Sequence, residues 1–226
     1  MTAVQVRYPA WRLLCVIALI GLFVLPGIAQ TEGPPAAVSK QDLVGSSASA
    51  APINGLTIGK VRVVFGKSRL LDLGAPFSNI LVSHSGESSS GVTWLCFTVE
   101  APHKTLRLWL LSDDEYGGTD VFVTGAYALA VGSTSARSAA CPKISLSNTG
   151  VVFDGGIEIG SSLANAKNKF DEVRLQRNGW WRFEYTGKES QDVRGKKYEF
   201  DVSGWVDLRL SNGVVTAVHA TKILSD

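Results

Sequence analysis

Short apolar runs divided by Gly, Ser and Asp clusters fill the chain from residue 53 onward, and they predict strands. Val61 to Phe65 (VRVVF) is β-branched and short. Thr93 to Val99 (TWLCFTV) and Leu106 to Leu111 (LRLWLL) are apolar on both faces, as central strands are. Val121 to Val123 and Ala126 to Val131 (AYALAV) are shorter strand signals. The polar turn Asp113 to Gly118 and the Gly-Ser clusters Ser83 to Gly91 and Gly132 to Ser138 separate these runs.

The period changes after residue 156. Gly156-Ile157-Glu158-Ile159-Gly160 reads as a strand end and a turn, and the hydroxyl of Ser161 or Ser162 is placed to cap a helix. Leu163, Ala166 and Phe170 then share one face of a short helix. Trp180 to Tyr185 (WWRFEY) returns to alternation, with Trp181, Phe183 and Tyr185 on one strand face and Trp180 on the other. Asn212-Gly213 predicts a two-residue hairpin, because both central positions need positive φ. Counting outward pairs Leu210 with Val215, Leu208 with Ala217 and Val206 with His219, leaving Asp207, Arg209, Ser211 and Thr216 on a wet face. Gly55 to Gly59 (GLTIG) repeats the shape of Gly156 to Gly160, which raises a duplication, although VRVVF follows one and SLANAKNKF the other.

The N-terminus has a different pattern. Arg7 and Arg12 precede a 13-residue apolar run, Leu13 to Leu25, and Pro26 leads to Gly27-Ile28-Ala29. This reads as a secretory signal peptide with cleavage expected after Ala29. The run falls short of the ~20 residues of a spanning helix. Gln30, not Cys, follows the cleavage site, so lipid attachment is not expected. Residues 30–52 are rich in Pro, Ala and Ser and read as a flexible linker.

Removing the signal changes the charge and the cysteine count. Of 22 basic side chains, Arg7 and Arg12 depart, leaving 20 against 20 acidic ones. A neutral mature chain has no basic stripe for nucleic acid and no polybasic cluster for a membrane surface. Cys15 also departs, and Cys96 and Cys141 are expected to form one disulfide in a periplasmic or extracellular compartment. Closing that loop of about 46 residues stabilises by about 4 kcal/mol on the chain-entropy account.

The expected fold is α+β and mostly antiparallel β. A β-rich domain with the disulfide spans 53–145. An α+β domain spans 146–226, ordered β-α-β-β-β, with one short helix on the sheet. Its Gly-Ile-x-Ile-Gly-Ser-Ser turn, short helix, aromatic strands and Asn-Gly hairpin resemble the domain shared by small outer-membrane assembly lipoproteins and the β-lactamase inhibitor protein. The resemblance runs from about Asn148 to Ile223. It implies a bacterial, non-catalytic protein that binds other proteins in the envelope or outside the cell. The chain departs from the lipoproteins in lacking a Cys after the signal. It departs from the inhibitor protein because both mature cysteines precede the matching region.

Catalytic constellations are weak. His84, His103 and His219 are scattered singly, with His219 read as structural and His103 as a solvated turn residue. His84 to Gly91 offers Gly-x-Ser-x-Ser where a nucleophile elbow needs a final Gly. Asp113, Asp114 and Glu115 supply too few oxygens for a calcium loop. No catalytic residue, metal ligand or cofactor is assigned. Trp180 and Trp181 point to opposite faces, so one lies on the less buried side; with Tyr185 they form the expected binding surface. The expected function is an exported, non-catalytic protein-binding or envelope-accessory protein. A carbohydrate- or peptidoglycan-binding module is the alternative, and a secreted hydrolase a weaker one.

Overall fold

The computed structural model describes residues 33–35 and 53–225, apart from 78–79, 88–90, 102–103, 116, 118–119, 132–140, 147–149, 168–169, 171–173, 176–178 and 194. The expected signal peptide, all of the linker but Gly33 to Pro35, and His103 lie outside the described residues. The protein is mostly antiparallel β. A three-stranded sheet holds β1 (Gly55–Ile58), β2 (Val61–Val64) and β8 (Val151–Phe153), in the order β2-β1-β8. The large sheet holds β3 (Ser83–Ser85), β4 (Val92–Ala101), β5 (Lys104–Asp113), β6 (Gly125–Ala130), β9 (Arg174–Leu175), β10 (Trp180–Val193), β11 (Lys196–Ser211) and β12 (Val214–Ser225). Its order is β3-β4-β5-β6-β12-β11-β10-β9, and β7 (Lys143–Ser145) adds to β4 in parallel.

The boundary expected between residues 145 and 146 does not separate two sheets. β8 pairs with β1 through Leu56 and Phe153, and β12 pairs with β6 through His219 and Tyr127. The core explains why. One face of the large sheet, including Phe97, Leu108, Ala128, Val218, Leu208 and Phe183, packs in one cluster with Leu56, Ile58, Val63 and Phe153 of the small sheet. Neither half could bury its apolar face without the other.

The two halves repeat each other, with a register other than the one GLTIG suggests. The sheet order reads the same from either side of the β6·β12 seam. Gly66 N–H donates to the Val123 carbonyl and Gly160 N–H to the Val215 carbonyl, each at 2.8 Å. Val123 N–H donates to Ser68 and Val215 N–H to Ser161, again at 2.8 Å. A five-residue helix follows each turn: α1 (Leu70–Gly74) and α2 (Leu163–Lys167). Gly160 thus matches Gly66, not Gly59. Gly66 takes φ 74° and Gly160 φ 94°, positive values that glycine adopts without strain. Carried along the strands, this match places Trp94 on Trp180, Phe97 on Phe183, Thr124 on Thr216 and Ala128 on Ala220.

Local chemistry accounts for the elements. In the last hairpin Asn212 and Gly213 take φ of 51° and 75°, and Leu210 faces Val215 as counted. A bulge between Arg209 and Leu210 then shifts the ladder, with Thr216 as the extra residue on β12. Leu208 therefore faces Val218, not Ala217, and Val206 faces Ala220, not His219. In α2 the Ser162 hydroxyl accepts the Asn165 N–H at 3.4 Å, and buried Ala166 faces the core with partly buried Leu163; Phe170, expected on the same helix face, lies beyond the helix end at Lys167 and packs against the same core. Val121 to Val123 is not a strand: Val121 takes φ 53° and Phe122 only bridges Arg69. Among the described residues, no helix is long and apolar enough to cross a membrane.

Candidate functional site

Strand pairing aligns one row of side chains across the second face of the large sheet: Cys96, Trp109, Tyr127, His219, Asp207 and Arg182. The bulge at Thr216 brings His219 into this row. Arg182 donates to Asp207 through Nε at 2.6 Å and Nη2 at 2.9 Å, a bidentate pair with both side chains buried. His219 Nδ1 lies 3.4 Å from Asp207 Oδ2, and Thr221 Oγ1 lies 3.2 Å from His219 Nε2. A neutral ring donating from Nδ1 and accepting at Nε2 satisfies both contacts. The Tyr127 ring lies 5.8 Å from His219 and 6.0 Å from Trp180. Burial drives the Tyr127 phenol above its ordinary pKa; Arg209 opposes this and Asp207 adds to it.

The wet face expected from the hairpin is therefore buried at Asp207 and exposed at Arg209 and Ser211. The Thr-His-Asp order matches that of a nucleophile relay, but its carboxylate is already held by Arg182 and its imidazole is 3% exposed. The row ties four strands together through a charge that burial leaves dependent on its partners.

The residues named from the sequence fall in separate places. Cys96 and Cys141 lie at disulfide-bonding distance, with Cα atoms 5.1 Å apart. The pair fixes the chain ahead of β7 to β4, where Thr98 Oγ1 also donates to the Cys141 carbonyl at 3.1 Å. Trp180 is 8% exposed and stacks edge-on with Tyr127, so it is not an exposed platform. Trp181 lies on the opposite face, half-buried against the core, with Lys167 Nζ 4.8 Å above its ring. Tyr185 is half-buried on that face, with its hydroxyl against Gly187. The structure does not gather these three into one surface. His84 is exposed and 2.9 Å from Asp114 Oδ2, and Asp113 Oδ1 accepts the Glu115 N–H at 3.0 Å. Among the described residues, no group of three or more His, Cys, Asp or Glu side chains is placed to hold a metal.

An open cleft of about 760 Å³ lies at the seam between the halves. Ala101 and Lys104 come from the β4–β5 hairpin, Ala130 from the end of β6, Val214 to Thr216 from the start of β12, and Glu158 to Ser161 with Asn165 from the α2 entry. Its wall is mainly aliphatic. Lys104 Nζ supplies the main charge and donates to Glu158 Oε2 and the Ile159 carbonyl, each at 2.7 Å. The Ser161 hydroxyl donates to the Glu158 carbonyl at 2.7 Å, which fixes the loop. An aliphatic wall with one charged pair can hold an apolar group and orient a polar one beside it. Sequence reasoning missed Lys104, Glu158 and Ala130 here, and Arg182 in the row. Pairs far apart in the chain leave no local signal. No family model matches the chain, and no curated protein or solved structure matches it either.

Proposed function

We propose that the chain is an exported, non-catalytic protein-binding module of a bacterial envelope or its surroundings, and that its partner engages the seam cleft. The observation that carries this reading is the cleft itself. It is aliphatic and open, and one ion pair marks its rim. Cysteines at disulfide distance are consistent with an oxidising compartment. The glycan alternative relied on an exposed tryptophan, and Trp180 and Trp181 are buried and half-buried.

A photoreactive side chain at Val214, which lines the cleft, tests the reading in cells that export the protein. The expected result is a discrete protein adduct that the same probe at exposed Leu175 does not give. No adduct from correctly folded protein overturns the reading.

A further inference from the structure

The second face of the large sheet, opposite the small sheet, carries its own dry aromatic cluster. Trp109 and Trp180 stand edge-on to Tyr127, and Trp94 belongs to the same cluster. Trp94 is 3% exposed. The segment Gly33-Pro34-Pro35 runs against this ring. A Cβ built on Gly33 would lie 3.8 Å from Trp94 Cζ2 and 4.0 Å from Cη2, the spacing of an ordinary van der Waals contact. Pro34 and Pro35 are half-buried. Proline chemistry suits this contact. Each pyrrolidine fixes φ at about −65°, and the residue before a proline is held extended, so Gly-Pro-Pro favours the polyproline II helix by itself. Docking a segment that is already ordered costs little chain entropy. Aromatic side chains are the surface that recognises such a segment.

We propose that the aromatic second face at Trp94 is a docking site for a polyproline II segment, and that the chain's own Gly33-Pro34-Pro35 occupies it in cis. The tether expected to be flexible over residues 30–52 is then fastened close to its start. Gly33, Pro34, Pro35 and Trp94 do not line the seam cleft, so this docking stands independently of the partner proposed there. Any other proline-rich segment gains the face only by displacing the chain's own.

Amide relaxation measured by NMR on the chain from Gln30 onward tests this. The Gly33 amide is expected to be as rigid as the amides of β4, and its Hα protons to show cross-relaxation to the Trp94 ring. The double variant P34G/P35G frees both φ angles. It is expected to release Gly33 and shift the Trp94 indole signal, with the other sheet signals unchanged. Gly33→Ala places a methyl in ordinary contact with the ring and is expected to stay docked. A blocked peptide Thr-Glu-Gly-Pro-Pro-Ala-Ala, the chain's own sequence at 31–37, is expected to return the Trp94 signal of P34G/P35G towards its parent position. The parent is expected to need at least about tenfold more peptide, because its own segment competes at the effective concentration of a linked ligand. A mobile Gly33 in the parent overturns the proposal, as does a peptide that binds neither protein or both equally. Release of Gly33 on dilution of the parent assigns the segment to a second copy and overturns docking in cis.

Discussion

Thr124 and Thr216 hold the same place in the two halves. Thr216 Oγ1 donates to the Arg209 carbonyl at 3.2 Å, and Thr124 Oγ1 to the Leu111 carbonyl at 3.5 Å. Leu111 and Arg209 in turn face Trp94 and Trp180. Each threonine marks the point where a strand leaves the frame of the preceding turn and enters the sheet. Thr216→Val is expected to cost about 0.5–1.5 kcal/mol, the net worth of one hydrogen bond. Thr124→Val is expected to cost more, about 1–3 kcal/mol, because Thr124 Oγ1 also accepts the Asp113 N–H at 3.0 Å. Urea unfolding of the two variants gives the comparison, and equal costs would contradict it.

The Arg182–Asp207 pair is buried on both sides, so its partners are unequal to its removal. Asp207→Ala leaves a buried guanidinium and is expected to lose about 3–5 kcal/mol. The double variant R182M/D207L removes both charges and is expected to be far less damaging than D207A alone. Denaturant midpoints at neutral pH test this, and a double variant worse than the single one refutes it.

Acid should weaken the fold partly through Glu189. Burial pushes its carboxyl up, but the hydrogen bond and charge of Lys222 outweigh this and hold it below its ordinary range. A carboxylate depressed in the folded state stabilises at pH above its unfolded value, about 4.3. That contribution is lost as pH falls through the lower folded value. Glu189→Gln is therefore expected to be less stable than the parent at neutral pH and to flatten the acid limb of stability against pH. The partly exposed site keeps the effect modest. An unchanged acid limb would show that the pair contributes nothing.

Reduction should loosen the β4 edge. Cys96 and Cys141 are 45 positions apart, and a closed loop of that size is worth about 4 kcal/mol on the chain-entropy account. The double variant C96A/C141A is expected to lose about 2–4 kcal/mol and to become insensitive to dithiothreitol. A parent protein whose melting temperature ignores dithiothreitol would argue against the bond.

Elements whose signal is local were legible in the sequence. The Asn212-Gly213 turn, the Ser162 cap and the strands of TWLCFTV and LRLWLL each follow from neighbours a few residues apart. The bulge was not, because an extra residue such as Thr216 breaks a period of two without changing composition. That one residue separates a dry His219 from the His219 that meets Asp207. The repeat was half legible. GLTIG and GIEIG share a shape, yet β1 is a strand and the second stretch is a bridge and turn, so the true match had to be found through Gly66 and Val123. The cleft could not be read at all, since its wall is assembled from Ala101, Lys104, Ala130, Glu158 and Val214, which lie far apart in the chain.

The placement of β12 bears on how the protein is made. The strand emerging last among the described residues lies in the middle of the large sheet, between β6 and β11. β1, the first to emerge, waits for β8. Synthesis from the N-terminus therefore leaves both sheets incomplete until β8 and β12 have been made. The large sheet becomes continuous only when its last strand joins β6 to β11.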